Sequence, residues 1–105
     1  STITPATTCI IPSGAIVYQA ITNVTTAVTG ASATVAVQLQ AANDIHTAAA
    51  ISGAPWSSTG LKAGTPVGTA ATAILLTADR TAKVVVGTAA TTAGVFTTYF
   101  LYMLA

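Results

Sequence analysis

Ser32-Ala33-Thr34-Val35-Ala36-Val37-Gln38-Leu39-Gln40 is the stretch on which the fold turns. Val35, Val37 and Leu39 recur at every second residue, with Thr34, Ala36, Gln38 and Gln40 between them. Successive side chains of a strand point to opposite faces, whereas a helix needs apolar residues three and four apart. The segment therefore predicts a strand with one buried face and one mildly polar face.

The same texture extends outward. Upstream, Gly14 to Thr22 follows the breakers Pro12, Ser13 and Gly14, and predicts a strand with Ile16 and Tyr18 on one face and Val17, Gln19 and Ile21 on the other. A short strand is expected at Val24 to Val28, turning at Thr29, Gly30 and Ala31. Downstream, Ala73 to Thr77, Ala82 to Thr88 and Val95 to Leu104 are rich in β-branched and aromatic residues and predict three more strands. Asn43 to Gly68 carries Gly53, Pro55, Gly60, Gly64, Pro66 and Gly68 and predicts a long loop. Within it the Ala-rich Ile45 to Ile51 suggests a helical turn capped by Asn43 or Asp44. Ser32 to Val37 and Thr81 to Val86 are alike, which predicts two related hairpins facing one another across a sandwich.

Short strands divided by turn signals make an all-β fold, an antiparallel β-sandwich or jelly-roll-like single domain. Its expected extent is residues 14–105, with the long loop at about 43–68. Residues 1–13, with Pro5, Pro12 and little periodicity, are expected to form an extended N-terminal arm lying over a neighbour.

Composition narrows the function classes. The chain has 105 residues, 5% charged and 52% hydrophobic, with mean hydropathy +0.75. An ordinary soluble domain has about 25% charged residues, so this surface has few ions to keep copies apart. Thr, Ser, Gly and Gln interrupt every apolar run, so no membrane-spanning helix is expected. The start at Ser1 is neutral and Thr-rich, unlike the basic, then apolar, opening of a secretory signal, and the expected site of synthesis is the cytoplasm. Lys62, Arg80 and Lys83 against Asp44 and Asp79 leave almost nothing to neutralise phosphates, so nucleic acid is not an expected partner. Cys9 is the single cysteine, so no intrachain disulfide can form.

Catalytic chemistry finds little to work with. There is no Glu, and His46 is the only histidine. Asp44-Ile45-His46 can place a carboxylate beside an imidazole on extended backbone, with Ser52, Ser57 and Ser58 nearby in sequence. No G-x-S-x-G elbow accompanies them, and the expected role of the pair is a cap and a loop histidine. Cys9, His46, Asp44 and Asp79 lack zinc or calcium spacing, and the glycines at 60, 64 and 68 match no phosphate loop. The expectation is a non-enzyme with no cofactor and no metal.

Contact residues are more legible. Trp56, in the long loop, suits either an interface anchor or a lid over the core edge. Phe96, Tyr99, Phe100 and Tyr102 fill both faces of the last strand, so one face is expected to meet the core and the other a partner. With the apolar residues of the arm, the candidate interface residues are Ile3, Pro5, Ile10, Trp56, Tyr99 and Tyr102.

Ser32 to Gln40, the valine strand Thr81 to Thr88 ending in Gly-Thr, and the closing aromatic strand after Thr92-Ala93-Gly94 together resemble small virion proteins of tailed bacteriophages. In particular the chain is similar to capsid decoration, or cement, proteins, over roughly its last three quarters. The resemblance implies a β-sandwich that forms homo-oligomers, commonly trimers, on the outer capsid surface and bridges major capsid protein subunits. It carries over no catalytic residue. Two other readings share the texture: a head-fibre, tail or spike component, and a carbohydrate-binding β-sandwich using Trp56 and Tyr18 as its platform.

Overall fold

The computed structural model describes residues 2–6 and 8–104. Eight strands make up its regular structure: β1 (Thr2–Ile3), β2 (Ile16–Gly30), β3 (Thr34–Gln38), β4 (His46–Ala50), β5 (Gly60–Val67), β6 (Ile74–Leu75), β7 (Lys83–Gly87) and β8 (Thr91–Met103). Every pairing is antiparallel, in two sheets packed face to face. The molecule is an all-β sandwich.

The first sheet runs β1-β7-β3-β4. In the second, β8 pairs with β2 along its length while β5 and β6 share the other edge of β2. As the period-two pattern predicts, Val35, Val37 and Leu39 are buried; Ala36 is buried as well, because β3 is interior to its sheet and an alanine hides between neighbouring strands. The two similar valine segments do not face one another. β3 and β7 lie side by side in one sheet, Val35 opposite Val86 and Val37 opposite Val84, and like pairs with like on the core face.

Three expectations about elements change. The strands predicted on either side of Asn23 are one continuous strand, β2, which turns only at Gly30. Within it, Val17 and Gln19 oppose the adjacent residues Tyr102 and Leu101, so Tyr18 is an extra residue on β2. Such a bulge inverts the alternation. Val17 is buried before it and Ala20, Thr22 and Val24 after it, which turns Ile21 away from the face it was expected to share with Val17.

The segment 43–68 is not a long loop, and Ile45 to Ile51 is not helical. It contains β4, paired with β3, and β5, paired with β2. A helix of that length has too few turns to offset the cost of nucleation, whereas an Ala-rich strand costs little once Ile45 and Ile51 are anchored in the core. Its glycines and proline are compatible with β5 because β5 lies at the sheet edge, where a missing N–H leaves no ladder partner unpaired. Gly64, Thr65 and Pro66 bulge opposite Ala20 alone, and Thr65 N–H donates to Ile45 O at 2.9 Å, tying the second sheet to the first.

The N-terminal segment is extended, but its described part lies along its own domain. Thr2 and Ile3 pair with Val85 and Val84, and Ile11 bridges to Arg80. Hydrogen bonds to the edge of β7 hold it there in the single chain.

Candidate interaction surface

Sheet pairing determines which side chains share the outer face of the second sheet, since directly opposed residues point the same way. Along that face Leu61, Asn23 and Thr97 form one row, and Ala63, Ile21 and Tyr99 the next. Val67, Gln19 and Leu101 follow, and then Leu75, Ile16 and Met103. The four rows contain no charged residue. Leu61 is 73% and Tyr99 58% exposed, and Val67, Leu75, Leu101 and Met103 are each exposed by half or more. Three strands about 4.8 Å apart, over seven residues at about 3.4 Å per step, make this an apolar panel roughly 10 by 20 Å between Cα atoms, with side chains extending beyond it. Monomeric soluble proteins seldom leave so continuous an apolar face uncovered.

A second feature lies between the sheets. A cleft of about 770 Å³ opens between β8 and the β1–β7 side of the first sheet, lined by Val28, Val35, Val84, Phe96 and Phe100, with Ile3 and Pro5 at its rim. Val84, Phe96 and Phe100 are only partly buried there, although they pack on the core.

The candidate contact residues divide accordingly. Tyr99 sits on the apolar panel, opposite Ile21. Tyr102 opposes Val17 and belongs to the inner side of β8, near its end, where it is still exposed. Ile3 and Pro5 border the cleft, and Ile10 is 67% exposed beside the exposed Cys9. Trp56 does not belong with them. It is 0% exposed, its Nε1–H donates to Val35 O at 3.1 Å, and its ring lies 4.7 Å from Phe96 and 5.2 Å from His46, centroid to centroid. A large aromatic whose one polar atom is satisfied by buried backbone is a core residue. Its burial also removes Trp56 from any sugar-binding platform.

Asp44 and His46 do not form a dyad. The Asp44 carboxylate accepts N–H bonds from Leu39, Gln40 and Ala41 at 2.7 to 2.8 Å and so ties off the turn between β3 and β4. Asn43, at φ 62°, supplies the left-handed residue of that turn. His46 turns inward instead. Its Nε2 lies 2.7 Å from Thr22 Oγ1, which in turn lies 2.8 Å from Thr98 Oγ1, so the Thr22 hydroxyl can donate to one neighbour and accept from the other. Burial lowers the His46 pKa below its ordinary 6.5, because a ring held away from water is costly to charge. Ser58 Oγ accepts from Lys62 Nζ at 2.7 Å. Among the described residues no group of three or more His, Cys, Asp or Glu is placed to hold a metal ion, and no helix is long and apolar enough to cross a membrane.

The apolar panel was missed in the sequence because it depends on pairing between strands that are distant in the chain. Leu61, Val67 and Leu75 lie on segments whose residues looked like loop or a minor strand, and only the ladder aligns them with Tyr99 and Leu101.

Comparison with protein-family models, with curated proteins and with solved structures finds no match for this chain.

Proposed function

We propose that this chain is a non-enzymatic virion structural protein that decorates and stabilises a bacteriophage capsid, self-associating and bridging major capsid protein subunits on the outer surface of the shell. The observation that carries the reading is the uncharged apolar panel on the second sheet. A face of that kind marks a site that a partner covers, and charges are depleted from the buried centres of protein interfaces. With only five charged residues in the chain, long-range electrostatics adds little to attraction or repulsion, and shape and apolar burial decide what binds. Many copies on a lattice make weak contacts additive, so a modest panel suffices to strengthen a coat. The resemblance of the strand segments supports the phage reading, and the panel supports the assembly role.

The test is addition of the purified chain to capsids that lack it, from the phage that encodes it. Wild-type chain should bind in hundreds of copies and raise the temperature at which the capsids rupture. L61K/Y99K, which places two cations on the panel, should fold but fail to bind. Equal retention of the double variant would remove the panel from the interface. A few copies per particle would favour the fibre, tail or spike reading.

A further inference from the structure

The edges of the two sheets are not equally protected. β1 and β6 are two residues long, and β5 carries Pro66, Lys62 and a bulge that bonds to Ile45. These are the usual devices that stop an edge from recruiting another strand. Apart from a bulge at Thr92, before Gly94, β8 has none of them. It is 13 residues long, contains no proline and no charge, and pairs only with β2 among the described residues. Beyond Gly94, at φ 140°, Val95 to Met103 is an uninterrupted edge about 30 Å long at roughly 3.4 Å per residue.

From this edge we infer that two copies of the chain associate through β8, antiparallel about a two-fold axis at Tyr99, to make one continuous sheet. Three observations select a second copy as the occupant. An edge without charge meets its own copy without like-charge repulsion, the usual penalty of pairing identical strands. Opposed residues in an antiparallel pair share a face, so an axis perpendicular to the sheet keeps the apolar panels of both copies on one side. Tyr99 is also the middle of the nine-residue run, so only that register pairs all of it. Val95 then opposes Met103 and Thr97 opposes Leu101 outside, while Phe96 opposes Tyr102 and Thr98 opposes Phe100 inside. Each pair is apolar or joins a hydroxyl residue to an apolar one, and each side chain already lies on the required face.

Area sets the strength. An edge about 30 Å long and about 10 Å deep buries well under the roughly 800 Å² per partner of a standard interface. The cleft opens on this same flank, between β8 and Ile3, and closing its mouth adds apolar contact without reaching the standard size. The pair is therefore a weak dimer, with Kd on the order of 100 µM. It deepens the self-association part of the proposed function and is independent of the capsid part. A two-fold contact also differs from the three-fold ring implied by the resemblance.

Sedimentation of the purified chain from 10 µM to 1 mM, with folding followed by circular dichroism, tests the pairing. Wild type should pass from the mass of one chain to that of two. T97K/L101K sets cations opposite cations across the axis and should remain at one chain throughout. T97K/L101E sets opposite charges together and should recover the dimer. In a C9S background, Y99C should give a disulfide-linked dimer under mild oxidation. Wild type that remains at one chain at 1 mM, a mass of three chains, or identical behaviour of the two charge variants would overturn the inference. A chain that stays monomeric yet coats capsids would end the two-fold pairing and leave the capsid reading standing.

Discussion

His46 and Trp56 show most clearly how single residues hold this sandwich together. His46 is 7% exposed with its Nε2 against the Thr22 hydroxyl, and burial there disfavours the charged ring. Its pKa is lowered in the fold, so the unfolded chain binds the proton more readily, and stability is lost as pH falls below about 6.5. Between pH 7 and pH 5 the melting temperature of wild type should fall, while that of His46→Gln, which cannot titrate, should stay level; parallel curves would remove His46 as the cause. Trp56→Ala should cost about 3 to 5 kcal/mol, the range for emptying a large aromatic site in a core, as measured by urea unfolding. As the chain's single tryptophan, Trp56 should also emit at the short wavelengths of a buried indole. The sequence left Trp56 between an interface anchor and a lid over the core edge, and it pointed to a solvated loop histidine at His46, which instead lies buried in β4. Nothing local marks Trp56 as a core residue, because its partners Val35 and Phe96 lie 21 and 40 positions away. Asp44 and His46 are two apart, yet the turn claims the carboxylate and the core claims the ring.

Among the elements, β3 was legible because Val35, Val37 and Leu39 keep strict period-two spacing with no bulge on β3, although Ala36 between them is buried too. β2 was half legible, since the bulge at Tyr18 leaves no mark in composition and inverts the face of every residue up to Val24. β5 was illegible for a different reason. Its glycines and proline are the residues that punctuate loops, and only its edge position makes them compatible with a strand. Gly64 is specific to that geometry, as a Cβ there would lie 3.2 Å from His46 Nε2 and Ile45 O and 3.3 Å from Ala20 O. Two of those atoms are backbone and cannot swing aside. Gly64→Ala should therefore destabilise by about 1 to 3 kcal/mol, the usual cost of overpacking, whereas the same change at Gly60, although strained by φ 118°, meets no atom within 4 Å. Amide hydrogen exchange of the two variants should differ at Thr65, whose bond to Ile45 O Gly64→Ala alone should lose.

In the whole molecule, composition and architecture agree. A chain with 5% charged residues has too few ions to cover two outward sheet faces, and the uncovered remainder gathers on the second sheet. The class of fold could be read from alternation alone; the panel could not, because it is assembled from four strands spread between Ile16 and Met103. In the proposed function assembly covers this surface, with apolar burial as its driving force at about 25 cal/mol per Å². Hydroxyl-radical footprinting of the free and particle-bound chain addresses this most directly. Leu61, Tyr99, Leu101 and Met103 should lose most of their labelling on the particle. Labelling of those four side chains that is as strong on the particle as in the free chain would contradict the account.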